Sequence, residues 1–249
     1  LAEPGPAARL GDSPLAIDGV QVTVRDNPYR FLEGKVGRRV TLLLNDRPTE
    51  EGAREVSVLP VDSEESLRYY DWVDRNRALV AELSGGRIGY VHVPNTAVDG
   101  HRELFEGFRP QARVMEAMIV DDRYNGGGWI PDRMAASLAT PVLNYWARRG
   151  TQLTTTPTWA FEGPMVMLIN GYSSSGGDAF PFYFKKLGVG PLMGKKTWGG
   201  LIGYSGSPSL VDGGGLAVPS FSFVNTAGEW DVEAVGVAPD IDVFDDPTL

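Results

Sequence analysis

Three consecutive hydroxyls, Ser173, Ser174 and Ser175, run directly into Gly176, Gly177 and Asp178. Before them lies a short apolar run, Val166 to Ile169, with the strength of a buried strand, broken at Asn170-Gly171. From Asp178 onward, Phe180, Phe182, Tyr183, Phe184 and Leu187 supply the apolar contacts of a helix. The hydroxyls therefore sit on a tight turn between a strand and a helix N-terminus. That terminus offers unpaired N–H groups and a partial positive charge, so a serine there has donors beside it for an oxyanion. The geometry is that of a nucleophile elbow, although the GxSxG spelling is absent. An ordinary N-cap with a glycine-rich turn stays open from this stretch alone.

A second stretch has the same character. Ala117 to Asp121 reads as a buried strand, and Asp121-Asp122-Arg123-Tyr124-Asn125-Gly126-Gly127-Gly128 follows it. Three glycines let the backbone approach a ligand closely with unshielded N–H groups. A phosphate cradle is one reading, but neither GxxxxGK[ST] nor GxGxxG is spelled. Half of an oxyanion hole, braced by Arg123 and Asn125, is the other, and a plain turn is the default for either stretch taken alone.

The elements that must position these turns alternate. From Arg87 the pattern is strand and helix by turns: Ile88–Val93, a helix over 102–115 interrupted near Pro110, Ala117–Asp121, a helix over 130–143, Val166–Ile169, then strands at 192–193 and 217–224. Such repetition implies a mainly parallel sheet covered by helices, an α/β class. Residues 62–83 form a charged, then amphipathic, helix stopped by Gly85-Gly86. Residues 1–61 read as β-rich: strands at 14–17, 20–24, 40–44 and 56–61, a hairpin turn at Asp18-Gly19, and a short helix from Asn27-Pro28 to Leu32.

Composition narrows the partners. The 249 residues are 42% hydrophobic, enough for one large or two smaller cores. A net charge of -9 argues against nucleic acid or an anionic membrane as main partner. No apolar run is long enough to span a bilayer. There is no cysteine, hence no disulfide or thiolate chemistry, and a cytoplasmic location is compatible. Two histidines make a histidine-based metal site an unfavoured reading. The opening Leu1-Ala2-Glu3-Pro4 does not look like a natural start, so a piece of a longer polypeptide is expected.

Together the motifs resemble a known family. DxRxNGGG after one strand and NxxSSSGGD after the next are similar to the S41 serine peptidases, a family that includes the C-terminal processing proteases and the tricorn branch. Thr197-Trp198-Gly199-Gly200 and the run Glu233 to Asp240, EAVGVAPD, resemble segments of the tricorn branch. Leu10 to Val22 resembles the centre of a PDZ domain, whose carboxylate-binding loop and first strands would lie upstream of Leu1. The resemblance implies a ClpP/crotonase-like strand–helix spiral over 86–249, preceded by a partial PDZ-like module over 1–61 and a linker helix over 62–85.

It also implies roles. Ser175, directly before Gly-Gly-Asp, matches the nucleophile, with Ser173 and Ser174 as neighbours to test. Gly176 matches one oxyanion donor, and Gly127 or Gly128 supplies the other. Glu233 matches a glutamate of the catalytic group that helps to order the hydroxyls. A substrate-pocket position falls near Trp146, where a tryptophan would not attract a cation as a carboxylate does, so apolar substrates stand as an alternative to basic ones. Gly200 stands where the processing proteases carry a base lysine, and Lys195 and Lys196 are expected to face solvent. In the tricorn branch the base is a histidine from a domain before the PDZ domain; His92 reads as structural and His101 as solvated. The base is thus expected on a segment upstream of Leu1 or on another chain. Peptide substrates, no metal or cofactor, and a ring-like homo-oligomer, a hexamer, are further implications. A crotonase-like acyl-CoA enzyme and a non-catalytic peptide-binding module are the rival readings.

Overall fold

The computed structural model describes residues 8–244. The outer ends of the first and last expected segments, 1–7 and 245–249, and with them the unusual start, lie outside the described residues. The chain divides into two compact units between Trp72 and Val73.

The first unit holds β1 (Ser13–Ile17), β2 (Val20–Gln21), β3 (Val40–Asn45) and β4 (Arg54–Val58), in an antiparallel sheet of order β2-β1-β3-β4. Asp18 and Gly19 both take positive φ, as a two-residue hairpin turn requires, and Ile17 faces Val20 across it. The Asp18 carboxylate accepts the Thr41 N–H and pairs with Lys35, which ties this turn to the start of β3. Ile17, Val40, Leu44 and Val56 bury their side chains on one face. The strand expected over 20–24 stops at Gln21, because Asp26 accepts both the N–H and the hydroxyl of Thr23 and closes a turn there. The strand expected over 56–61 starts at Arg54 and ends at Val58, before Pro60. A 3-10 turn, Pro28–Leu32, follows Asn27, whose side chain accepts the Tyr29 N–H.

Helix α1 (Glu65–Ser84) carries the chain across the division and ends in Gly85-Gly86, both at positive φ, with the Gly86 N–H on the Ala81 carbonyl. The second unit is built on β5 (Ile88–His92), β6 (Ala117–Asp121), β9 (Met165–Ile169), β10 (Leu192–Gly194) and β11 (Ile241–Asp242). All four pairings are parallel and the order is β11-β10-β9-β6-β5. Each new strand is therefore added at the same edge, so the crossovers keep one sense and the layers wind as a strand–helix spiral. The crossovers carry α2 (Val98–Gln111), α3 (Pro131–Leu138) and α4 (Gly176–Lys186). Met118, Val120, Met167, Ile169 and Leu192 from the sheet pack with Leu104, Phe108, Met134, Phe180 and Phe184 from the helices. β7 (Asn144–Trp146) and β8 (Thr154–Thr156) form a separate antiparallel hairpin.

Three expectations are corrected. α2 begins at Val98, four residues before Arg102, because Asn95 Oδ1 accepts the N–H groups of Ala97 and Gly100 and so starts the helix without an N-cap side chain at Ala97. α3 stops at Leu138; Pro141 follows closely and the 144–146 stretch pairs as β7 instead. The strand expected over 217–224 is absent, and the segment makes only isolated bridges, Gly203 to Phe221 and Val224 to Trp230. Among the described residues no helix is long and apolar enough to cross a membrane.

Phe180 and Phe184 are fully buried on the inner face of α4. Phe180→Ala is expected to cost about 3–5 kcal/mol, read as a lowered midpoint in urea unfolding.

Candidate active site

The carboxyl ends of β6 and β9 deliver the two glycine-bearing turns side by side. Asn170 follows β9, and its Oδ1 accepts the N–H groups of both Tyr124 and Tyr172, one from each turn. The three serines then separate by environment. Ser173 is fully buried and its hydroxyl donates to the Asp122 carbonyl at 2.7 Å, so it is structural. Ser174 donates its N–H to the Asn125 carbonyl. Ser175 is exposed and occupies the N-cap position of α4 with φ 56° and ψ -117°, and its side chain makes no capping bond. A non-glycine residue at positive φ is strained by roughly 1–3 kcal/mol, and such strain persists only where neighbours over-determine it. Here the Ser175 N–H is held by the Gly200 carbonyl, and its own carbonyl accepts the N–H groups of Asp178 and Ala179.

The glycine loop presses against this turn. A Cβ at Gly127 would stand 2.7 Å from Ser175 Cβ, and one at Gly176 would stand 2.5 Å and 2.7 Å from the Gly128 carbonyl and nitrogen. Only glycine fits at either place. The Gly127 N–H is already held by Asn125 Oδ1 at 2.8 Å. The Gly127 carbonyl accepts the Thr96 N–H, and in a planar trans peptide the Gly128 N–H must then point the opposite way. Among the described residues neither the Gly128 N–H nor the Gly176 N–H has a hydrogen-bond partner. Two unengaged amides thus stand beside an exposed serine hydroxyl. Of the two expected loop donors, Gly128 is open and Gly127 is engaged.

A third segment, Thr197 to Ile202, closes the site from the other side. Asp178 is buried in the first turn of α4 and accepts the Gly199 and Gly200 N–H groups at 2.7 Å and 3.1 Å. Burial raises the pKa of its carboxyl, against the lowering effect of bonds from Thr197, Gly199 and Gly200. Glu233 is half-buried; its Oε2 accepts the Leu201 and Ile202 N–H groups, each at 2.6 Å. Its hydrogen bonds therefore go to backbone beside the site and not to a serine hydroxyl. Val232 and Ala234, on either side of it, both take positive φ, which aims the carboxylate at that segment.

The remaining basic groups lie elsewhere. His92 is buried in β5, and its Nε2 meets the Arg123 carbonyl at 2.8 Å; a carbonyl only accepts, so Nε2 carries the proton. Burial lowers its pKa, which keeps the ring neutral. His101 is half-buried on α2 with its ring 4.6 Å from that of Phe105, a departure from a solvated side chain. Lys195 pairs with Asp242 at 2.6 Å and Lys196 is exposed. Arg123 braces the loop through an ion pair with buried Asp121, which also accepts the Tyr90 hydroxyl.

A cavity of about 410 Å³ opens beside Ser175, with Trp129, Tyr183, Leu201, Phe221 and Phe223 among its walls and Asp132 as its carboxylate. Trp146 is not one of its walls: it is 66% exposed on β7, with Nε1 donating to Thr156 Oγ1. Sequence reasoning passed over Asp178, Asp122 and the aromatic walls. The first two stand inside motifs already in view, whereas Tyr183, Phe221 and Phe223 were read as helix and strand contacts and not as walls.

Parallel sheet, strained serine at a helix head and paired open amides define the class, an α/β protein with a hydrolase-type nucleophile turn. Residues 87–243 match the model of peptidase family S41, and residues 1–63 match the tricorn protease PDZ domain. The chain is 37% identical over 243 residues to tricorn protease homolog 1 of Streptomyces coelicolor, covering 98% of this chain and 23% of that one. It is 36% identical over 228 residues to the tricorn protease of Thermoplasma acidophilum, covering 91% and 21%. The crystal structure of the tricorn protease superposes with a TM-score of 0.84 at 34% identity, over 94% of this chain and 23% of that one. The chain belongs to peptidase family S41, with a PDZ-type domain at its amino end. It spans about a quarter or less of the length of these relatives.

Glu233→Ala removes the acceptor of two backbone N–H groups. The Leu201 and Ile202 amides are expected to exchange with solvent about tenfold faster or more, while Phe180 and the α4 core keep their protection. Hydrogen-exchange mass spectrometry checks this.

Proposed function

We propose that this chain is the catalytic part of a serine peptidase in which Ser175 attacks a peptide carbonyl. The observation that carries the reading is the strained, exposed Ser175 set beside the unengaged amides of Gly128 and Gly176. As Oγ adds to the carbonyl carbon, negative charge collects on the carbonyl oxygen, and each amide aimed at it is worth about 3 kcal/mol. Collapse of the tetrahedral species expels the amine and leaves an acyl-enzyme, which water then releases. Gly127 keeps the loop in place rather than donating. Glu233 acts through the backbone of Leu201 and Ile202 on the wall of the cavity.

A serine hydroxyl at its ordinary pKa needs a base. His92 is buried with its Nε2 proton on the Arg123 carbonyl, and we assign the base to a histidine upstream of these residues or on another chain. The side-chain pocket is assigned to the aromatic cavity and not to Trp146, so peptides with apolar side chains are the favoured substrates. Residues 1–61 serve as a partial PDZ-like module, 62–85 as a linker helix and 86–249 as the core. The working form is assigned as a cytoplasmic homo-oligomer, a hexamer, on the resemblance to the tricorn branch alone.

Labelling with a fluorophosphonate tests the reading. In the polypeptide that carries this chain and its upstream segment, labelling is expected at Ser175 and lost in Ser175→Ala. Residues 1–249 alone are expected to label at least about a thousandfold more slowly. Undiminished labelling in Ser175→Ala would overturn the assignment, and fast labelling of the isolated chain would place the base within it.

A further inference from the structure

Asp122 begins the glycine loop and is fully buried. Its Oδ1 accepts from Asn125 Nδ2 at 2.8 Å, and its Oδ2 is buried with no partner. Asn125, also fully buried, takes the Gly127 N–H on its side-chain oxygen and the Ser174 N–H on its carbonyl. The Asp122 carbonyl takes the Ser173 hydroxyl. This one pair of residues therefore holds both turns: the glycine loop by the Asn125 side chain on Gly127, the serine turn by the two backbone carbonyls on Ser173 and Ser174, and the Asp122 side chain orients Asn125.

The surroundings offer an ionised Asp122 little. Asp121 on β6 is a carboxylate whose ion pair with Arg123 and bond from Tyr90 turn those partners toward itself. Asp178 on α4 is a further carboxyl, and His92 on β5 is neutral and bonded elsewhere. A buried carboxylate with one oxygen lacking a donor costs more than the protonated acid, which leaves an O–H without an acceptor but no charge uncompensated. Burial, with Asp121 and Asp178 behind it, outweighs Asn125 and Ser173 and holds the carboxyl well above its ordinary range.

We infer that Asp122 is a neutral acid and that, through Asn125, it sets the spacing between the Gly128 and Gly176 amides: a positioning residue for the oxyanion site. The positioning role rests on the serine-peptidase reading; the protonation does not.

The sign of the pH effect follows. The folded chain keeps a proton that the unfolded chain releases near the ordinary aspartate value of 3.8, so stability falls as pH rises above that value toward the folded one. Asp122→Asn keeps the shape and the acceptor for Asn125 but cannot titrate; Asp122→Ala removes the acceptor. Two measurements on residues 1–249 decide. The first is the melting temperature from about pH 4 to about pH 9, where the decline with pH is expected to be shallower in Asp122→Asn, the remainder belonging to Asp178. The second is the affinity of a peptide boronic acid with a phenylalanine-type side chain, which needs no base to form its tetrahedral adduct. Asp122→Asn is expected within about threefold of the parent and Asp122→Ala weaker by about tenfold or more, at matched stability set by temperature. An unchanged slope in Asp122→Asn overturns the neutral acid. Equal boronate affinity in all three proteins overturns the positioning role, and Asp122→Asn alone tests it if Asp122→Ala does not fold, a loss of about tenfold or more counting against a neutral side chain there. A parent chain that takes no boronate overturns the peptidase reading, and the positioning role with it, while the slope still reads the proton.

Discussion

The backbone at Ser175 is the constraint on which the second unit depends. A serine at φ 56° is worth roughly 1–3 kcal/mol of strain, and it cannot hold itself. Two segments distant in sequence hold it, together with the helix that follows it. The glycine loop presses on it at Gly127, the 197–202 segment takes its N–H at the Gly200 carbonyl, and α4 takes its carbonyl. Without the strain the hydroxyl would turn back and cap α4, as serine ordinarily does. The hydroxyl is exposed because the helix is denied its cap.

The carboxyls behind the site divide the labour by environment. Asp121 has a cation and a phenol, Asp178 has two backbone N–H groups, and Glu233 has two more. Asp121 anchors the glycine loop, and Asp178 and Glu233 anchor the 197–202 segment. The acids order the backbone, and the backbone amides are left to meet the ligand.

The sequence carried the chemistry better than the edges of the elements. Ser175, Gly176 and the glycine loop were legible because their types are unusual: hydroxyl before paired glycines, and three glycines after a strand. The parallel α/β sheet was legible from short apolar runs alternating with helical ones. Helix starts were not, since Asn95 initiates α2 from outside it, by a side chain two residues before the first N–H it caps and five before the second. The choice between Gly127 and Gly128 was out of reach for a like reason: it turns on which amide Asn125 occupies. The irregular run over 203–230 has aromatic residues with strand spacing, yet its partners face the cavity beside Ser175 rather than a sheet. Local pattern cannot separate those two fates.

The parallel sheet grows in chain order, β5, β6, β9, β10 and then β11. A ribosome releases these strands in the same sequence, so each can dock on an edge that already exists. The turn that bears Ser175 emerges well before Glu233 and the 197–202 segment that it braces. The nascent chain therefore carries Ser175 before the residues that brace its turn have been made. Synthesis itself thus sets the order in which this turn and the residues that brace it become available.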